Sequence, residues 1–239
     1  MVCCEISALN RRGKAITVTK TLAALAAAAT LAVSVPASAN LLLNGDFENN
    51  SAGASLFNMT NANFTATVDN ATGFGSSEEL DLVTSTDFGI APQSGNWKVG
   101  MHQRSNLATN RDELSLDLSA PLTVGDSYDL SFYAAGLSSN PLGQIEVGVS
   151  TAANAFGSLV FSATPTGSSA WDLFQTSFLA PIAATHLTFS VSPVFDGYAF
   201  IDNASLKGSD AVIPLPAPAL MLGSVMIAAG VYRRMTSRR

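Results

Sequence analysis

The chain has 239 residues and a formal net charge of −6, but residues 40–212 carry 17 acidic side chains against 4 basic ones, a net charge of −13. Such an acidic segment repels phosphate backbones and attracts divalent cations, which argues against nucleic acid as a partner and makes calcium the natural candidate ion. The two cysteines, Cys3 and Cys4, both precede the predicted mature protein, which therefore has neither disulfides nor thiolate chemistry.

The first 39 residues have the three parts of a secretory signal peptide in the required order. A basic region extends from Arg11 to Lys20, an apolar region covers residues 22–35, and the small residues Ala37-Ser38-Ala39 form a cleavage site. The alternative is a buried, alanine-rich helix. We therefore predict an exported protein whose mature chain begins at Asn40.

Residues 40–210 contain short runs in which apolar and polar side chains alternate, which is the period of half-buried β-strands. These runs cover residues 114–118, 128–132, 145–149 and 187–191, and Trp171 with Phe174 indicates a further strand. Turn residues separate the runs, as at Gly125-Asp126 and Asp196-Gly197. The pattern predicts one all-β domain, an antiparallel β-sandwich. Residues 49–71 are interpreted as loops or an edge hairpin.

Two motifs frame this domain, an opening Asn44-Gly45-Asp46-Phe47-Glu48 and a closing Ile201-Asp202-Asn203-Ala204-Ser205-Leu206. Together they resemble the galactose-binding-like jelly rolls of carbohydrate-binding modules and related exported bacterial domains. The resemblance implies adjacent first and last strands, and a structural calcium ion with Glu48 and Asp202 as ligands and Asn44 or Asp46 as neighbours. Carbonyls and water would complete a shell of about six to eight oxygens. The alternative is that both carboxylates are surface groups at strand ends.

A sugar-binding site requires an exposed aromatic platform beside groups that can hydrogen-bond hydroxyls. Trp97 and Tyr198 are the candidates for this platform, with Asn96 and Asp196 beside them. The alternative for each ring is ordinary packing in the core.

Candidates for catalysis are few. His102 is expected to be a solvated loop residue and His186 a polar residue at the head of a strand. The acidic cluster Glu78, Glu79 and Asp81 has the carboxylates that a glycosidase needs, but neighbouring acids usually face water. The sequence lacks a nucleophile elbow, a zinc helix and a phosphate loop, and we predict no catalytic residue.

Residues 211–239 combine a proline box, an uncharged stretch (residues 217–232) and an arginine cluster. The box is Pro214-Leu215-Pro216-Ala217, and the cluster comprises Arg233, Arg234, Arg238 and Arg239. This order resembles the PEP-CTERM class of sorting signals, in its Val-Pro-Leu-Pro-Ala variant with Ile213 in place of valine. The resemblance implies a transmembrane helix with cytoplasmic arginines, and cleavage near the box by an exosortase-type transpeptidase. A simple tail anchor and a buried helix are the alternatives.

We therefore expect a protein that is anchored in the membrane before sorting and is located afterwards at the cell surface or in the extracellular matrix. Three functions fit this expectation. The first is a non-catalytic surface or matrix protein associated with exopolysaccharide or biofilm. The second is a lectin-like module with a defined sugar site, and the third is a polysaccharide hydrolase.

Overall fold

The computed structural model of the protein describes residues 39–104, 110–168, 170–191 and 196–209. Within these ranges 11 β-strands form two sheets, and one α-helix, α1 (Asn61–Thr67), follows the first strand. The strands are β1 (Leu56–Met59), β2 (Ala71–Gly75), β3 (Leu80–Thr84), β4 (Trp97–Gln103), β5 (Asp112–Asp117), β6 (Ser127–Gly136), β7 (Ile145–Ser150), β8 (Ser158–Ala163), β9 (Asp172–Leu179), β10 (His186–Val191) and β11 (Gly197–Gly208).

The two sheets form an antiparallel sandwich. One sheet has six strands in the order β1-β3-β4-β11-β6-β9, and the other has five in the order β2-β5-β10-β7-β8. Neighbouring strands pair antiparallel in both sheets. The prediction of an all-β antiparallel sandwich is confirmed.

The main core lies between the sheets and follows the alternation read from the sequence. Leu114 and Leu116 of β5 and Val147 and Val149 of β7 point inward from the five-stranded sheet, and Phe132 of β6 meets them from the six-stranded sheet. Every strand predicted from alternation is present. Trp171 lies just before β9 and is half-buried, whereas Phe174 packs against the main core.

The opening segment lies against the closing strand, as the framing motifs imply. The Leu41 amide donates to the Leu206 carbonyl at 2.7 Å, and the Ala204 amide donates to the Gly45 carbonyl at 2.7 Å. A Cβ atom at Gly45 would lie 2.0 Å from the Ala204 carbonyl oxygen, so only glycine permits this approach.

Residues 49–71 differ from the sequence-based interpretation. They contain the edge strand β1 and the helix α1, in which the Thr60 hydroxyl caps the helix by accepting from the Asn63 amide at 3.2 Å. Phe64 packs the helix against the core. A helix of 7 residues is too short to show a clear helical period in the sequence.

Two predicted segments, the signal peptide (residues 1–39) and the sorting signal (residues 211–239), lie outside the described residues apart from Ala39. Among the residues that the structure describes, no helix has both the length and the apolar character needed to cross a membrane.

Candidate functional site

A loop of residues 85–96, here called the roof loop, connects β3 to β4 and covers part of the outer face of the six-stranded sheet. A second core lies beneath it, with Trp171 packed at its edge. Its buried members are Val83, Ile90, Ala135, Leu137, Tyr198 and Phe200. The Trp171 indole nitrogen donates to the Ala91 carbonyl at 2.9 Å and so fixes the middle of the roof loop.

Lys98 is a fully buried cation under the roof loop. Its ammonium nitrogen donates to the carbonyls of Ser85 (3.4 Å) and Asp87 (3.2 Å) and lies 5.3 Å from the centroid of the Phe200 ring. Burial lowers the pKa of Lys98 to about 8, although the charges of Asp87 and Asp202 oppose this shift. The lysine therefore holds the first part of the roof loop in place through hydrogen bonds to its carbonyl groups.

The predicted calcium ligands, Glu48 and Asp202, both bind the other end of the roof loop. Glu48 Oε1 accepts from the amides of Asn96 (2.7 Å) and Trp97 (2.9 Å), and Glu48 Oε2 accepts from the Asn96 side chain at 3.2 Å. Asp202 Oδ2 accepts from the amides of Gln93 (2.7 Å) and Ser94 (3.2 Å). The framing motifs thus identified two residues that hold the same loop.

These contacts do not fit a calcium ion well. Calcium requires oxygen lone pairs that face the ion, whereas the oxygens here face N–H donors, including the Asn203 amide on Asp202 Oδ1. The proposed neighbour Asn44 uses its side chain to hold the carbonyls of Asn49 and Asp69. Asp46 accepts from the Glu48 amide at 3.4 Å. Within the described residues, no group of three or more histidine or acidic side chains is arranged to hold a metal. Calcium stays a prediction.

The predicted sugar platform is not formed as expected. Tyr198 is only 5% exposed, and its hydroxyl donates to Asp81 inside the second core, so the prediction of an exposed ring is wrong for this residue. Trp97 is half-buried against the main core, on the opposite side of the sheet. The two rings therefore cannot contact one ligand together. Their polar neighbours bind protein groups, since Asn96 contacts Glu48 and Asp196 contacts His102 at 2.9 Å.

His102 lies in strand β4, where a solvated loop residue was expected. Its Nε2 contacts Asp196 at 2.9 Å, its Nδ1 lies 3.4 Å from Glu79, and its side chain is 14% exposed. Glu79 also pairs with Arg104. His186 is at the head of β10, as predicted, and lies 3.3 Å from Asp117.

The acidic cluster follows the expectation that its members face water only in part, since Glu78 is exposed and Asp81 is not. Asp81 is buried, and burial raises its pKa. Asp112, which the sequence did not single out, is buried beside it and accepts from the amides of Glu79 (2.9 Å) and His102 (2.8 Å). Burial, with the charges of Glu79 and Asp81, raises the pKa of Asp112 to about 7. Both carboxyl groups organise backbone at this end of the sandwich.

The outer face of the five-stranded sheet is covered by residues 151–157, here called the strap. Hydroxyls of the sheet donate to strap carbonyls, from Ser115 to Ala153 and from Thr188 to Phe156, each at 2.7 Å. The guanidinium of Arg111 lies 5.7 Å from the Phe156 ring. The strap therefore closes the centre of this face to a ligand.

A concavity of about 460 Å³ remains open on the outer face of the six-stranded sheet, beyond the roof loop. We call it the polar groove, and its polar lining residues are Asp129, Ser131, Gln175, Thr176, Ser177, Ser205 and Lys207. Strand pairing arranges most of them in two rows across β11, β6 and β9. One row is Lys207, Asp129 and Ser177, and the other is Ser205, Ser131 and Gln175.

The polar groove combines hydrogen-bond donors and acceptors that sugar hydroxyls can use. Asp129 accepts from the hydroxyls of Ser177 (2.6 Å) and Ser209 (2.8 Å), and these bonds lower its pKa. Gln175 and Lys207 are exposed beside it. In the sequence these residues are merely the polar positions of alternating strands, and only the sheet order brings β11, β6 and β9 together.

Comparison with known proteins gave matches at the level of structure. No family model and no curated protein matches the sequence. TmCBM61, solved in complex with β-1,4-galactotriose, is 20% identical, with a TM-score of 0.44 over 72% of this chain and 100% of that chain.

Two further structures are similar. The CBM22-1 xylan-binding domain of Paenibacillus barcinonensis Xyn10C is 11% identical, with a TM-score of 0.44 over 74% of this chain and 99% of that one. The K3 cleaved adhesin domain of Lys-gingipain from Porphyromonas gingivalis w83 is 17% identical, with a TM-score of 0.41 over 71% of this chain and 98% of that one. What the polar groove binds must follow from its own side chains.

Proposed function

We propose that this protein is an exported, non-catalytic carbohydrate-binding protein that holds a polysaccharide in the polar groove. The observation that carries the proposal is the groove itself, where hydroxyl, amide, carboxylate and ammonium groups converge on one open concavity. Sugar-binding sites need such groups because each sugar hydroxyl both donates and accepts hydrogen bonds. The framing motifs, which resemble galactose-binding-like jelly rolls, support the same proposal from the sequence.

The non-catalytic part of the proposal is supported by the groove's chemistry. Hydrolysis of a glycosidic bond generally uses two carboxyl groups on either side of the bond. Among the residues that line the groove, Asp129 is the single carboxylate. Asp81 and Asp112 are buried and bound to protein groups, which leaves them poorly placed to reach a sugar.

The proposed location follows from the two ends of the sequence. The signal peptide would direct export, and the Pro214-Leu215-Pro216-Ala217 box with its arginine cluster would make the protein a substrate of an exosortase-type transpeptidase. The mature domain would then act at the cell surface or in the matrix. Intact mass of the protein from its host tests this, with cleavage after Ala39 and loss of residues beyond the box as the expected result.

Binding is tested by affinity electrophoresis of the full-length protein in gels that contain soluble polysaccharides. Wild-type protein should be retarded by at least one polysaccharide, and Gln175→Ala should weaken this retardation because it removes a donor and an acceptor from the groove. Asn154→Ala removes an exposed amide from the strap and serves as the matched control. Wild-type mobility that no polysaccharide changes would refute the proposed function.

A further inference from the structure

Two aromatic rings are exposed side by side at the edge strand β1, away from the polar groove. Phe57 of β1 is 49% exposed and Phe88 of the roof loop is 37% exposed. Their ring centroids are 5.3 Å apart with an interplanar angle of 89°. Phe88 also contacts Phe200 of the second core at 5.7 Å between centroids. The pair is thus an outward extension of a buried aromatic cluster.

The backbone of Phe88 is held in an unfavourable conformation. Its φ of 63° and ψ of 17° lie in the left-handed region, which costs a bulky side chain about 1–2 kcal/mol. The Gly89 amide closes the turn by donating to the Thr86 carbonyl at 2.8 Å, and Lys98 binds the carbonyl of Asp87. Contacts with Tyr198 and Phe200 offset part of this cost, yet more than a third of the Phe88 side chain remains exposed. Strain of this kind is concentrated at binding sites.

Polar groups and a hollow adjoin the two rings. The Ser55 hydroxyl donates to Asp87 at the edge of the pair. A hollow of about 310 Å³ lies between β1 and α1, and Phe57, Asn58, Asn63 and Thr67 are among its lining residues. An apolar ring beside amide and hydroxyl groups matches a pyranose, which has an apolar C–H face and a rim of hydroxyls.

The charge around the rings indicates which sugars would fit. Asp87 lies beside Phe88, and Lys98, a cation that the described residues place nearby, is buried and bound to carbonyls. Residues 40–212 carry a net charge of −13, which would repel uronic acids and sulfated sugars. These charges exclude acidic glycans, and the two uncharged rings match the apolar C–H face of a neutral sugar.

We propose that Phe57 and Phe88 form an aromatic platform, in which one ring stacks on a pyranose ring of a neutral polysaccharide and the perpendicular second ring supports it edge to face, with the adjoining sugar in the hollow between β1 and α1. This site rests on the proposed carbohydrate-binding function but is separate from the polar groove, since β1 and β9 lie at opposite edges of the six-stranded sheet. Lys98 acts as a positioning residue that holds the turn of Phe88.

The test uses affinity electrophoresis of the full-length protein with galactan, xylan and mannan as neutral probes and polygalacturonate as the acidic probe. We expect retardation by a neutral probe only, and roughly tenfold weaker binding in Phe57→Ser. Phe57→Trp should keep binding, because it preserves an aromatic face. Leu159→Ser is the matched control, since Leu159 is 57% exposed on β8 of the other sheet, away from both proposed sites, and should bind as wild type. Phe88→Gly relieves the strained backbone while removing the ring, and should also lose binding.

The outcomes separate this inference from the proposed function. Weaker binding in Phe57→Ser with unchanged binding in Gln175→Ala supports the platform and moves the ligand away from the groove. Unchanged binding in Phe57→Ser with weaker binding in Gln175→Ala overturns the platform and leaves the proposed function intact. A change of oligomeric state in Phe57→Ser, measured by light scattering, with no change in glycan binding would show that the rings contact another protein copy and would also overturn the inference.

Discussion

Raising the pH from about 5 to about 7.5 should lower the stability of the sandwich, because two buried carboxyl groups must then ionise inside the protein. The groups are Asp112 and Asp202, both fully buried. Burial raises the pKa of each from 3.8 to about 7. The negative charges of Glu79 and Asp81 add to the shift of Asp112, and the negative charge of Glu48 adds to the shift of Asp202. Bonds from backbone amides oppose it.

The sign follows from proton binding. At a pH between the pKa of these groups in the unfolded chain and their pKa in the native protein, the unfolded chain has released the protons whereas the native state keeps them. The free energy of unfolding therefore falls as the pH rises. For one group the loss between about pH 5 and about pH 7.5 is about 2.5 kcal/mol, and for both it is about 5 kcal/mol. A domain of this size loses about 2–4 °C of Tm per kcal/mol, so we expect a fall of about 10–20 °C.

Thermal unfolding followed by circular dichroism, at constant ionic strength across this pH range, measures the effect. Asp112→Asn and Asp202→Asn should each remove about half of the slope of Tm against pH. The slope is the relevant quantity, because each substitution also replaces one acceptor oxygen by a donor and shifts the absolute Tm. A wild-type Tm that is constant or rises from about pH 5 to about pH 7.5 would contradict the reasoning.

Three further predictions concern stability. Gly45→Ala should destabilise the domain by at least about 1–3 kcal/mol in urea unfolding, because its Cβ would lie 2.0 Å from a backbone oxygen, whereas the Gly53→Ala control meets no atom within 4 Å. Ser190→Ala should be neutral or stabilising by up to about 1 kcal/mol, because the Ser190 hydroxyl is buried without a partner. Ser115→Ala should instead destabilise the domain by about 1 kcal/mol, because it removes a hydroxyl that is hydrogen-bonded. Equal effects of the two substitutions on the free energy of unfolding would contradict this difference. Addition of EDTA should leave Tm unchanged, because N–H groups bind Glu48 and Asp202; a fall in Tm would instead support the calcium prediction.

The alternation of apolar residues was sufficient to predict the strands that have one face in the main core and the other face exposed to water or covered by a loop. β6 illustrates this, since Leu130 and Phe132 are buried and Asp129 is exposed. β3 could not be recognised in the same way, because its first four residues are all buried. β4 does alternate at Trp97, Val99 and Met101, so that signal was present and could have been used.

The site was predicted less completely because burial of polar groups depends on distant parts of the chain. Lys98 is a polar position in an alternating strand, where a lysine is normally exposed, and it is buried and hydrogen-bonded only because the roof loop covers it. Tyr198 was expected at the surface for the same reason, since the loop that covers it lies about 100 residues earlier in the chain. The framing motifs brought Glu48 and Asp202 to the same loop because the opening segment lies against the closing strand, whereas the calcium ion that they were predicted to hold stays a prediction.

The roof loop connects the stability of the domain to the proposed platform. Lys98 binds its first half through carbonyl groups, and Glu48 and Asp202 bind its second half through amides, so both halves are held by ionisable side chains from other elements. A loop fixed in this way loses little conformational entropy when a ligand binds, which favours affinity at a small contact area. The same arrangement explains how Phe88 can keep a strained backbone while its ring stays partly exposed. Loss of any one of these three side chains should therefore weaken both the fold and the presentation of Phe88, whereas loss of the Phe57 ring should affect binding alone.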